Sequence, residues 1–352
     1  MVVLSYSSVV ETASRLTDVD LFDTVDQSCI QPAMALLGRV GPIVDSVRIA
    51  DLRRCEVPVE FNTDFFSQHM HDVQHLRDLA RALRFASAVA SFNEDYDAVA
   101  EYGIRLLELA NATRRGGLIV DHLVASSISG HAVECLRLAR YGFADTLRRE
   151  LLIALVQNER EREPLSQIAQ RDATWVAVSG YEDVGCEISE DSLIDPDSEL
   201  SANDQREIFQ LLKKMASEPD GERQIMHVNA ERFALAETRL LTVDSALRCW
   251  KSHTGRYPNS IAELAPSILP VVPLDPFTDS NFIYRATTDA FSLYSTGPDQ
   301  VDGGGRFAPR FVVSAGGYDL SLDAQDYWSD FFTSYHRRGI IRRLYSRLRF
   351  WR

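Results

Sequence analysis

The chain has 352 residues, 45% of them apolar and 25% charged, with a net charge of −14. These proportions belong to an ordinary globular protein and exclude global disorder, a collagen-like fibre and a coiled-coil rod. An acidic balance of this size argues against nucleic acid as the main partner, and the length predicts two domains or one large one.

The first half reads as a succession of helices. Val73, Leu76, Ala80, Leu83 and Ala86 recur at steps of three and four, which puts them on one helical face. An acidic turn follows Phe92, and a second helix then carries Val99, Tyr102, Leu106 and Leu109. Arg114, Arg115, Gly116 and Gly117 close it with the basic last turn and glycines of a helix end. A third run from Leu118 to Tyr141 carries Leu123, Ile128, Cys135 and Leu138. Its middle, 125–130, is small enough for another helix backbone to cross closely. A fourth run from Phe143 to about Glu161 completes an antiparallel array. Ala88, Phe92, Ala98 and Tyr102 resemble the small and large alternation of a tetratricopeptide hairpin. A repeat array needs three or more such units, and the plainer expectation is an irregular helical bundle or short helical-hairpin domain.

Between Tyr181 and Asp204 nine acids occur without one Lys or Arg, a pattern of solvated linkers. A short helix near Asp204–Ala216 is expected next, and Glu218-Pro-Asp-Gly221 breaks the chain again. Phe233, Ala236, Leu240, Val243, Leu247 and Trp250 then form the narrow apolar seam of a long helix over Glu222–His253, with Gly255 placed to end it. Ser260 and Glu263 are spaced as a capping box for a short helix, which Pro266 and Pro270 stop. Phe282–Arg285 and Phe291–Tyr294 read as a hairpin, with a third strand at Arg310–Ser314.

The expected fold is therefore α+β and multidomain. A helical-hairpin domain spans 1–180, an acidic linker with a short helix 181–221, and a long helix with a small antiparallel sheet 222–334. A basic amphipathic tail occupies 335–352. Seven Arg and no acid lie in that tail, so the rest of the chain carries −21. Ile340, Ile341, Leu344, Tyr345, Leu348 and Trp351 fall on one side of it, opposite most of the Arg. Such a helix suits an anionic membrane surface, or equally the protein's own acidic body.

Residues 232–305 resemble the globular domain of the major pseudopilin of type II secretion. The matching features are a long helix ending His-Thr-Gly255-Arg-Tyr257-Pro258, the run Ile261–Leu264, and the turn Pro273-Leu-Asp275-Pro276-Phe277. Tyr284, Tyr294-Ser295-Thr-Gly297-Pro-Asp299 and the glycines 303–305 follow in order. In that family the domain follows directly on an N-terminal hydrophobic helix, whereas here more than 200 residues precede the match. The whole layout looks like a group of uncharacterised bacterial proteins that often begin with a membrane anchor. The resemblance implies a cell-envelope location, anchored or exported, in preference to the cytoplasm, although no stretch here reaches the ~20 apolar residues of a membrane helix. It also implies calcium in the loop after the hairpin, with Asp299 matching the family's ligand and Asp302, three residues on, as a second candidate. Calcium takes six to eight oxygens, and Arg306 would oppose its charge.

Other candidate chemistry is sparse. Five cysteines at 29, 55, 135, 186 and 249 show no C-x-x-C and predict free thiols. His71 and His75 stand one helical turn apart, as two metal ligands do, with His69 beside them and Asp121, His122 and His131 available from the third helix. The plainer expectation is a polar helix start. Ser126, Ser127 and Ser129 near His131 lack the strand-to-helix elbow of a serine hydrolase. Gly303-Gly-Gly lacks the Lys and Ser/Thr of a phosphate loop. The sequence thus points to a non-enzymatic protein–protein interaction or scaffolding role with a protein partner. A hydrolase or metalloenzyme built on the histidines of the helical half is the alternative.

Overall fold

The computed structural model describes residues 5–16, 21, 25–48, 51–179, 220–307 and 317–323. These residues are mostly helical, with a two-stranded antiparallel sheet, an α+β arrangement. The helices of the first half are α1 (Tyr6–Ser14), α2 (Ile30–Arg48), α3 (Thr63–Phe92), α4 (Tyr96–Arg114), α5 (Ile119–Ala139), α6 (Asp145–Glu161) and α7 (Leu165–Ser179). Asn62 opens α3 by accepting from the Phe65 N–H at 2.8 Å, and Asp95 opens α4 by accepting from Ala98 at 3.1 Å. Each thereby satisfies a donor that the helix itself cannot pair. The expected α3 face, Val73, Leu76, Ala80, Leu83 and Ala86, is buried throughout.

Helix α5 is the hub, packed on α3, α4 and α7. Gly103 of α4 makes the tightest approach: a Cβ there would lie 2.5 Å from the Leu136 side chain. Ala125, Ser126 and Ser129 of the small-residue stretch are buried. Leu123 and Leu138 depart from the expected apolar face and are 39% and 55% exposed. With neighbours on most sides, α5 buries polar and apolar positions alike, so its hydrophobic spacing does not tell its one open face.

The second part of the chain begins with α8 (Asp220–Thr254). Gly255, at φ +79°, ends it in the left-handed region that glycine enters without strain. Ala236, Leu240, Val243 and Leu247 are fully buried, and α8 packs on both α5 and α6. One continuous apolar core runs from Tyr6 through α8 to Leu322. The expected linker, the short helix at 204–216, the strand at 310–314 and the tail at 335–352 fall outside the described residues, apart from the first residues of α8.

Ser260 and Glu263 form the expected capping box, with Ser260 N–H donating to Glu263 Oε1 at 2.9 Å. It opens only a 3-10 turn, Ile261–Leu264, rather than an α-helix. The hairpin pairs β1 (Ile283–Ala286) with β2 (Phe291–Tyr294), Ile283 opposite Tyr294 and Ala286 opposite Phe291. Beyond β2, Leu320 bridges Ser295 in antiparallel fashion through N–H···O bonds of 2.8 and 2.9 Å. The segment around Leu320 thus adds to the sheet beside the end of β2.

This returning segment fastens the sheet to the end of α5. Arg137 donates to the Leu322 carbonyl at 3.3 Å, and Arg140 pairs with Asp323 and with Asp244 of α8. The guanidinium groups of Arg140 and Arg248 lie 4.5 and 4.4 Å from the Tyr141 ring centroid, cation–π contacts that hold the ring. Cys29, Cys55, Cys135 and Cys249 are free thiols. Among the described residues no helix is long and apolar enough to cross a membrane.

Candidate functional site

Among the described residues, a dense group of buried charge surrounds the N-terminus of α5. Gly116, at φ +72°, turns the chain out of α4, and Gly117 has no room for a side chain because a Cβ would lie 2.6 Å from Asp121. The Asp121 carboxylate therefore swings back over the turn and accepts the Leu118 N–H at 2.8 Å. Its two oxygens also meet His69 Nε2 of α3 at 2.8 and 2.9 Å, although 52 residues separate the two. Both side chains are fully buried. Phe65 stacks on the His69 ring at 4.7 Å, and Tyr6 of α1 stands 6.3 Å away. Burial, then the charges of Asp121 and Asp72, push the Tyr6 hydroxyl well above the usual phenol range, and its oxygen has no hydrogen-bond partner.

On the other side of α5 the Glu231 carboxylate of α8 receives two arginines. Arg114, at the end of α4, donates from both Nη atoms at 2.9 Å and gives its Nε–H to the Glu163 carbonyl at 2.7 Å. Arg162 donates to the same carboxylate from Nε at 3.1 Å and Nη2 at 2.5 Å. Burial alone would raise the Glu231 carboxyl, but the hydrogen bonds and charges of Arg162 and Arg114 outweigh it and hold the group at about 2. His122, beside Asp121 in sequence, points to this cluster with Nδ1 3.7 Å from Glu231 Oε2. Burial and then the Arg114 charge push its pKa down to about 4, so the ring is neutral near neutral pH.

Helix α7 and the link before it close the third side. Glu163 accepts the Gly116 N–H at 3.0 Å and pairs with Arg171, which donates to the Gly117 carbonyl at 2.6 Å. Asp172 accepts the Ile119 N–H at 3.0 Å, and burial raises its carboxyl above the ordinary range. The carboxylates of Asp121 and Asp172 thus cap the donors that open α5, as an incipient helix favours, while Glu163 holds the Gly116 N–H of the turn before it. Five helices and the link from α6 to α7 meet at one turn.

Of the histidines expected as ligands, the structure joins His69 to Asp121 and turns His122 toward α8. His71 is exposed and His75 half-buried on α3. Burial and then Arg84, Arg81 and Arg77 push His131 down to about 3. Among the described residues no group of three or more His, Cys, Asp or Glu is arranged to hold a metal. The Ser126 hydroxyl donates to the His122 carbonyl at 2.9 Å within its own helix, and Ser127 faces outward.

The loop after the hairpin gathers three carboxylates. Asp299 accepts from Val301 N–H at 3.1 Å and Gly317 N–H at 2.5 Å. Asp302 accepts from Gly304 N–H at 2.8 Å and the Tyr294 hydroxyl at 3.0 Å, and these hold its carboxyl below the usual range. Asp319, which sequence reasoning missed, is fully buried and accepts from Gly303 and Gly305 at 3.0 and 2.7 Å. It lies well downstream of the motif, with no local signal to mark it. No family model matches the chain, and no curated protein or solved structure does so either.

Proposed function

We propose that the protein is a non-enzymatic interaction or scaffolding protein of the bacterial cell envelope. In this reading a helical-hairpin half is joined to a domain related to the globular part of the major pseudopilin, and the basic tail contacts an anionic membrane surface. The observation that carries it is the cluster Arg114–Glu231–Arg162, which ties the helical half to the long helix of the second part. Its donors and acceptors are spent on one another, an arrangement suited to holding a rigid platform. The order of a long helix, a 3-10 turn, a hairpin and a carboxylate-bearing glycine loop supports the pseudopilin relationship.

Covalent cross-linking in cells, followed by capture of the full chain and measurement of its share in the membrane fraction, tests the reading. A defined protein partner at fixed stoichiometry, with the chain recovered with membranes, is the expected result. Stoichiometric zinc held through His71 and His75, with hydrolytic activity that vanishes on their replacement, would overturn it in favour of a metalloenzyme.

A further inference from the structure

The fully buried ring of His122 reaches from α5 to two oxygens one turn apart on α8. Nε2 lies 3.4 Å from the His227 carbonyl, while Nδ1 lies 3.7 Å from Glu231 Oε2 and has no hydrogen-bond partner. A carbonyl only accepts, so Nε2 carries the proton of the neutral ring and Nδ1 turns a lone pair toward the carboxylate. That carboxylate is already full. Each Glu231 oxygen takes one N–H from Arg114 and one from Arg162, which occupies its roughly four lone-pair sites.

We propose that His122 is an acid-sensitive latch: with the ring neutral, α5 holds the first turns of α8, and with the ring protonated it lets them go. The second proton sits on Nδ1 and faces Glu231, where no acceptor site is open. To be used, the new N–H must displace an arginine and strand a buried guanidinium. Unused, it adds a third buried cation beside Arg114 and Arg162. The other charges at the junction are committed elsewhere. Asp121 holds His69 of α3 and the Leu118 N–H, Glu163 holds Arg171 and the Gly116 N–H, and Asp172 of α7 holds the Ile119 N–H. Burial raises the Asp172 carboxyl, which the Ile119 N–H and the half-buried His227 of α8 counter in part.

Burial, and then the Arg114 charge, bring the His122 ring from an ordinary 6.5 down to about 4. Release returns the ring to water and to its ordinary value. Release therefore becomes easier as the pH falls from 6.5 toward 4, and levels off below that. Farther along α8, Ala236, Leu240, Val243 and Leu247 remain in the apolar core, which confines the event to the start of the helix. The inference does not rest on the scaffolding role.

Hydrogen exchange of the full chain, read by mass spectrometry and corrected for the intrinsic pH dependence of exchange, tests it between about pH 7 and about pH 4.5. Over that range the opening of 227–232 should rise roughly 50-fold in wild type, while 236–247 stays protected. His122→Gln and His122→Asn keep an uncharged N–H donor and should abolish the rise, with circular dichroism confirming that each is folded. His227→Gln should leave it in place, which separates the two rings of the junction. His131, brought down by burial and then by Arg84, Arg81 and Arg77, would on protonation loosen α3 rather than α8. Protection of 227–232 that is unchanged down to about pH 4.5 overturns the proposal. So does a rise that survives in both His122 variants, or one that disappears only with His227→Gln.

Discussion

Replacing Glu231 by Gln keeps the shape of the side chain and removes the one charge that Arg114 and Arg162 share. Arg114 is fully buried, and Glu231 is only 13% exposed, so solvent replaces little of what is lost. Breaking a buried pair of this kind costs about 3–5 kcal/mol, because an uncompensated charge stays behind. Titration gives an independent figure. The Glu231 carboxyl lies at about 2 in the folded protein against an ordinary 4.5, which corresponds to about 3 kcal/mol. Because the folded value is depressed, this contribution is fully present above 4.5 and is lost as the pH falls toward 2. Urea unfolding at neutral pH should therefore show Glu231→Gln less stable by about 3 kcal/mol, a large part of the 5–15 kcal/mol typical of a folded protein. The gap between variant and wild type should narrow to about half by about pH 3. A loss below about 1 kcal/mol, the scale of a surface pair, or a gap that stays constant as the pH is lowered, would refute the reasoning.

Four further outcomes are expected. His69→Leu strands the buried Asp121 carboxylate with the Leu118 N–H and should cost about 3 kcal/mol in the same urea assay. Gly103→Ala drives a methyl into Leu136 and should lower stability by about 1–3 kcal/mol, read as a fall in melting temperature. Limited proteolysis should cut first between 181 and 221, where the sequence is acidic and broken by proline. The two fragments should still co-elute on gel filtration, because they share an apolar core; separation on cleavage would contradict that core. Calcium would compete with the N–H donors now on Asp299, Asp302 and Asp319 and with Arg285 beside Asp302, so millimolar calcium should leave the melting temperature of metal-free protein unchanged. A clear rise would instead establish the loop as a calcium site.

Local spacing by itself determined the helices α3 to α6, the long helix with its glycine stop, and the hairpin. Each of these is specified by side chains within a few residues of one another: the 3-4 apolar repeat of α3, the glycine after α8, the alternation around β2. Local spacing also marked His69, Asp121 and His122, as possible ligands. Arg114, Arg162, Glu163 and Glu231 carried no such mark, because charged residues ordinarily face water. Only the tertiary structure decided their role. The turn after α4 and the start of α5 receive side chains from α3, α7 and the link before α7, and α8 lays Glu231 between two arginines that lie 69 and 117 residues away in sequence. The same holds for the outer face of α5, whose exposed Leu123 and Leu138 differ from buried leucines only in which neighbours happen to cover them. Partnership of that kind is set by which apolar faces meet, and those faces come from segments too far apart in the chain for any periodicity to record.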